Sequence, residues 1–171
     1  MNYGEIKTHD IANGEGIRVS LFVSGCRHAC KGCFNAAAWD FAYGEKFNKT
    51  AKERLFSALD KSYIKGLSLL GGEPMERENQ AEIFEILRKF KARFPQKDVW
   101  CYSGYTFDQL KKGGVANFEN TDEILKMINV LVDGKFVESE KDITLKFRGS
   151  KNQRVLSLEN GEIKCELFKV Q

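Results

Sequence analysis

The stretch Ile17-Arg-Val-Ser-Leu-Phe-Val23-Ser-Gly-Cys26-Arg-His-Ala-Cys30-Lys-Gly-Cys33-Phe-Asn35 runs an apolar, β-branched segment straight into three cysteines. Residues 17–23 have the composition of a buried strand, and Ser24-Gly25 ends the run. The cysteines follow with the spacing C-x-x-x-C-x-x-C. Three thiolates this close can converge on one metal centre, and thiolate sets suit zinc or an iron–sulfur cluster. An ordinary four-iron cluster takes four cysteines. Here three are near, so the fourth position is open to a small molecule, as in catalytic rather than structural metal sites. Two other readings stand beside this one. His28 could complete a structural zinc site of three cysteines and one histidine. Cys30 and Cys33 could form a redox dithiol, which leaves Cys26 unexplained. Simple core packing is disfavoured by the hydrophilic neighbours Arg27, His28 and Lys31.

Outward from this loop, strand-like and helix-like segments alternate. Thr50-Ala-Lys-Glu53 has the form of a capping box and predicts a helix burying Leu55, Phe56 and Leu59. Residues 66–70 read as a buried strand ended by Gly71-Gly72. Residues 79–94 predict a helix, with Ile83, Leu87, Phe90 and Phe94 on one face. Strands over 99–102 and 129–132 frame a second capping box at Thr106 to Gln109 and a short helix over 121–128. Asn160-Gly161, between 154–158 and 162–168, is a tight-hairpin signal. This order predicts an α/β fold with a mostly parallel sheet and a C-terminal β-hairpin. The roughly four parallel strands are too few for a closed eight-stranded barrel and fit an open, partial one. Functional loops then follow the C-terminal ends of the strands, which puts the cysteine loop, Gly71-Gly72 and Asp133 on one edge.

Composition narrows the classes. The 171 residues suit a single domain over 1–171. A net charge of +3, with the Lys and Arg spread along the chain, gives no footprint for nucleic acid. Nowhere do eighteen apolar residues run together, and the first twenty contain Glu5, Lys7, Asp10, Glu15 and Arg18. The expectation is no membrane span and a cytoplasmic protein, a setting in which five cysteines are not a disulfide framework. Cys101 and Cys165 read as buried structural thiols.

The cysteine spacing after a first strand resembles the signature of the radical S-adenosylmethionine superfamily. The aromatic residue usually found just before the third cysteine is here Gly32, and Phe34 follows instead. This C-x-G-C-aromatic-Asn form is similar to that of the activating proteins of anaerobic ribonucleotide reductases. The resemblance extends over Asn13 to Arg154. It includes Asn13-Gly-Glu-Gly-Ile-Arg18, Gly71-Gly72-Glu73-Pro74, Ser103-Gly104-Tyr105, Val130-Leu-Val-Asp133-Gly-Lys135-Phe136 and Arg148-Gly-Ser150-Lys-Asn152-Gln. It implies a partial radical-SAM β/α barrel in which Cys26, Cys30 and Cys33 hold one [4Fe-4S] cluster, with S-adenosylmethionine on the fourth iron. It further implies that Gly32, Cys33, Phe34, Asn35, Gly71, Gly72, Glu73, Asp133, Lys135 and Arg148 bind the cofactor. The implied reaction is reductive cleavage of S-adenosylmethionine to a 5′-deoxyadenosyl radical, which takes a hydrogen atom from a glycine of the reductase. The implied partners are the large subunit of an anaerobic ribonucleoside-triphosphate reductase and an electron donor of flavodoxin or ferredoxin type. An activase of another glycyl-radical enzyme, such as pyruvate formate-lyase, is the alternative within this chemistry. The resemblance also implies that Asn13 to Arg18 shape the site entrance; on the residues alone these glycines read equally well as a turn, and Asp133-Gly134 as a plain surface turn.

Overall fold

A computed structural model describes residues 1–169. Eight strands form one sheet in the order β3-β1-β2-β4-β5-β6-β7-β8. They are β1 (Asn2–Asp10), β2 (Arg18–Val23), β3 (Glu45–Lys46), β4 (Gly66–Gly71), β5 (Asp98–Ser103), β6 (Val130–Asp133), β7 (Arg154–Glu159) and β8 (Glu162–Leu167). The helices are α1 (Lys49–Leu59), α2 (Arg77–Arg93), α3 (Phe107–Leu110) and α4 (Thr121–Met127). The four central strands β2, β4, β5 and β6 run parallel to one another. The pairs β1–β2, β1–β3, β6–β7 and β7–β8 are antiparallel. The expectation of a mostly parallel sheet is therefore corrected. The parallel block is a minority of the pairings, and the sheet is an open, mixed one. Two strands were not expected from the sequence, the two-residue β3 and β1, and the register of β1 shifts between Tyr3 and Glu5 and again between Lys7 and Asp10. Those bulges break the period-two alternation by which strands are read from sequence.

The two faces of the sheet differ. One carries Val19, Leu21, Leu67, Leu69, Val99, Cys101 and Leu131 against the helices, where Leu55, Ile83, Leu87 and Phe90 complete a core with no exposed surface. The other carries Trp100, Val130, Val132 and Val155, with Phe147 and Phe168 packed over them. Arg18 lies fully buried at the N-terminal ends of the parallel strands. It pairs with Asp98 at 2.6 Å, donates to the Ser68 hydroxyl at 2.7 Å and lies over the Trp100 ring. The Ser68 hydroxyl in turn donates to the Asn13 carbonyl at 2.6 Å. Residues 11–17 therefore pack at the N-terminal ends of the parallel strands, while Ala12 and Asn13 also border the cavity lined by the cysteine loop.

Local signals fared unevenly. The Thr106–Gln109 capping box forms as expected, although α3 is a single turn. The Asn160-Gly161 hairpin turn has φ of +53° and +81° at its two central residues, the geometry that an Asn-Gly pair favours. The Thr50–Glu53 box does not form. Asn48 caps α1 instead, its side chain accepting from Ala51 N–H at 3.0 Å. Asn48→Ala is expected to destabilise the fold by about 1 kcal/mol, while Thr50→Ala changes little. Thermal melting of both variants checks the assignment.

Candidate functional site

The cysteine loop leaves the C-terminal end of β2 and is sewn to its surroundings by backbone hydrogen bonds. Gly25 N–H donates to Ala38 O and Cys26 N–H to Trp39 O, at 2.8 and 3.1 Å. Gly72 N–H donates to Val23 O and Glu73 N–H to Gly25 O, at 2.7 and 2.8 Å. The loop after β2 and the turn after β4 are thus one hydrogen-bonded unit. Its closeness explains Gly72, where a Cβ would lie 2.7 Å from Gly25 O and 2.8 Å from Ala38 O. Arg27 anchors the loop to the start of α2. Its guanidinium meets Glu76 at 2.7 Å and Glu78 at 2.5 Å, and its backbone N–H donates to Glu76 at 2.8 Å. The Arg27 contact holds the Glu78 carboxyl down at about 2.

These loops border a cavity of about 460 Å³ on the sheet face opposite the helices. Cys26, Cys30 and Cys33 all line it, each partly exposed. Cys101 is buried in β5 as expected, whereas the expectation of burial is corrected for Cys165, which is exposed because β8 is an edge strand; neither lines the cavity. Cys33 N–H donates to Cys30 O at 3.1 Å, and Asn35 N–H donates to Cys33 Sγ at 3.4 Å. Burial pushes the Cys26 thiol up to about 12, and Glu73, Glu76 and Cys30 act in the same direction. A thiol in such surroundings ionises when a cationic metal centre takes the proton's place.

Of the other residues expected at the site, Gly32, Phe34, Gly71, Gly72, Glu73 and Arg148 line the same cavity. Phe34 is 86% exposed. Arg148 is 9% exposed, and its Nε and Nη1 have no hydrogen-bond partner. Its Nη2 donates to the Phe168 carbonyl, so the guanidinium is held in the cavity wall with two nitrogens left unpartnered. Asn35, Asp133 and Lys135 are not among the cavity's lining residues. Asn35 reaches the site through its N–H on Cys33. Lys135 is exposed, its carbonyl accepting from Asn152 at 2.8 Å. Asp133 is buried; its Oδ2 accepts from Phe107 N–H at 2.7 Å and from Arg154 Nη2, and its Oδ1 accepts from Arg154 Nε at 2.9 Å. It is engaged on both oxygens, not a surface turn.

Two residues were undervalued in the sequence. Tyr102 lines the cavity with a buried hydroxyl that has no partner. Its signal was strand alternation, which places it on the same face as Trp100. His28 lines the same cavity. Its Nε2 lies 2.9 Å from Glu73, and its ring packs edge-on against Tyr105. Among the described residues, no three His, Cys, Asp or Glu groups close round a site for a single ion.

Cys26, Cys30 and Cys33 thus share one loop in the wall of an open cavity, and the family described as 4Fe-4S single cluster domain matches residues 12–156. Named relatives narrow this further. The chain is 42% identical over 163 residues to the anaerobic ribonucleoside-triphosphate reductase-activating protein of Enterobacteria phage T4, covering 94% of this chain and 97% of that protein. It is 40% identical over 157 residues to the protein of the same name from Escherichia coli (strain K12), covering 91% and 97%. The corresponding protein of Vibrio cholerae serotype O1 is 38% identical over 155 residues, covering 90% and 96%. The chain belongs to the family of anaerobic ribonucleoside-triphosphate reductase-activating proteins.

Proposed function

We propose that this protein activates an anaerobic ribonucleoside-triphosphate reductase by placing a radical on a glycine of its large subunit. The observation that carries the reading is the convergence of Cys26, Cys30 and Cys33, without a fourth cysteine, on one cavity beside the ends of parallel strands. The names of the relatives support the choice of partner. In this reading the fold is a partial radical-SAM β/α barrel, and residues 1–171 are one cytoplasmic domain. When bound, a [4Fe-4S] cluster and S-adenosylmethionine supply a 5′-deoxyadenosyl radical by one-electron cleavage of the sulfonium, the electron coming from a flavodoxin- or ferredoxin-type donor.

The chain's own residues hold and shield this chemistry. The three cysteine thiolates hold the cluster, and Asn35 N–H lowers the electron density on Cys33 Sγ. Gly32 and Gly71-Gly72 let backbone approach the ligand where a side chain would not fit. Glu73 accepts from the ligand's ammonium group, and Arg148 pairs with a carboxylate. Phe34 offers an apolar face at the mouth. Phe147 and the rest of the segment over 141–149 wall the cavity against bulk water. Asp133 and Lys135 contribute by setting the loop after β6, without touching the ligand.

The test is anaerobic. Protein reconstituted with iron and sulfide and then reduced is expected to cleave S-adenosylmethionine to methionine and 5′-deoxyadenosine. With the reductase added, a glycyl radical signal should appear by electron paramagnetic resonance. Stoichiometric zinc in place of iron and sulfide, with no cleavage, would refute the reading. Cleavage with a glycyl radical on another enzyme, and none on the reductase, would transfer it to that enzyme.

A further inference from the structure

The Glu73 carboxylate, in the wall of the cavity, is already full. It is 1% exposed, and an ionised carboxylate offers about four lone-pair sites. Four donors of the chain occupy them. Met75 N–H and the Ser103 hydroxyl donate to Oε1 at 2.8 and 2.9 Å. Gly104 N–H donates to Oε2 at 2.7 Å, and His28 Nε2 lies 2.9 Å from the same oxygen. An ammonium group can be received here only if one donor leaves. Two are backbone N–H groups set by the turns after β4 and β5. The Ser103 hydroxyl is held from its other side, accepting from Tyr105 N–H at 3.1 Å. His28 is the donor that remains, and it is the one the cysteine loop contributes.

The seat of the imidazole is built for it. A Cβ on Gly104 would lie 2.3 Å from His28 Cδ2 and 2.6 Å from Nε2. Gly104 has no left-handed backbone, so its missing side chain makes room for the ring and serves no unusual turn. The Tyr105 ring closes the other side, with the centroids 4.4 Å apart.

We propose that His28 is a placeholder for the ligand's ammonium group. It occupies Glu73 while the site is free and gives way when S-adenosylmethionine enters. Because His28 lies between Cys26 and Cys30, this exchange couples ligand entry to the conformation of the cluster-bearing loop. The inference rests on the reading of Glu73 as the ammonium acceptor. His28 acts through Glu73 as a positioning residue and takes no part in bond cleavage. Removing its donor leaves the buried carboxylate under-satisfied, so the ligand's ammonium gains what the imidazole no longer supplies.

The experiment is equilibrium dialysis on cluster-loaded protein, with the shift in the cluster's paramagnetic resonance spectrum as a second readout. The probes are S-adenosylmethionine and an analogue in which hydrogen replaces the amino group. His28→Phe and His28→Ala are expected to lower the Kd for S-adenosylmethionine about tenfold and to leave the analogue's Kd unchanged. His28→Gln, which restores an N–H donor, should stay near wild type. A raised Kd in His28→Ala and His28→Phe, or no change across the set, overturns the placeholder. Wild-type protein that binds neither probe overturns the reading of the site together with it.

Discussion

Replacing Cys26, Cys30 or Cys33 by alanine, one at a time, is expected to abolish S-adenosylmethionine cleavage and to remove most of the bound iron and sulfide. Changes to residues that merely support a metal ligand typically cost about 10–100-fold in affinity or activity. Loss of a ligand itself should exceed the upper figure. The three positions should behave alike, because all three thiols line one cavity. The remaining cysteines provide the contrast. Cys165 is exposed on β8 and outside the cavity, so Cys165→Ala should keep full iron, sulfide and cleavage. Cys101 is fully buried in the core, and burial pushes its thiol well above the ordinary value. Cys101→Ala should therefore lower stability by about 1 kcal/mol through lost packing while retaining the cluster. Iron and sulfide content beside product yield for all five variants checks the pattern. A loop variant that kept full cleavage would remove that cysteine from the ligand set.

The parts of the fold legible in the sequence are those whose side chains answer to one environment. The strands β2 and β4 are buried along their length, so their apolar runs stand out. The face of α2 is regular because Ile83, Leu87 and Phe90 meet one core. The last hairpin was legible although every residue of β8 is exposed or half-buried, because Asn160-Gly161 fixes the turn by backbone geometry alone. Where two demands fall on one segment, the pattern fails. The bulges of β1 serve the pairing with β2 and erase its alternation. Asn48 and Thr50 are both good caps, and only the approach of the chain from β3 decides between them.

The site divides along the same line. Thiols three and four residues apart can be recognised as a ligand set before any fold is known, since the spacing itself brings them together. Arg148 was visible as a charge in a polar segment that packing does not require. Its two unpartnered nitrogens needed coordinates to be found. What the sequence could not contain is the competition for partners. Glu73 reads as an available acceptor until four donors from three separate loops are seen on it. Asp133 likewise reads as a free acid at a strand end, yet in space it is already spoken for.

Asp133→Ala is expected to act on stability and not on ligand affinity. The carboxylate ends β6 opposite Ser103 of β5 and Arg154 of β7, so it joins three strands at the edge bearing the site. It is 1% exposed and accepts from Phe107 N–H and from two nitrogens of Arg154. Deleting it leaves a backbone N–H and a guanidinium without their acceptor. Removing one partner of a buried ion pair costs about 3–5 kcal/mol. The lower end applies here, because the Arg154 side chain is 35% exposed and water can reach it. For a chain of this length, about 3 kcal/mol corresponds to a fall in Tm of roughly 6–12 °C. Asp133→Asn keeps one acceptor for Phe107 N–H and should lose about half as much. Replacing both partners, as in Asp133→Val with Arg154→Met, should recover most of the loss, since an ion pair is often matched by an apolar pair of similar volume. Thermal melts of the four proteins, with S-adenosylmethionine affinity measured well below each transition, separate the two roles open to this residue. Lost affinity in a variant of undiminished stability would return Asp133 to the ligand. Lost stability with retained affinity leaves it as the tie between β5, β6 and β7.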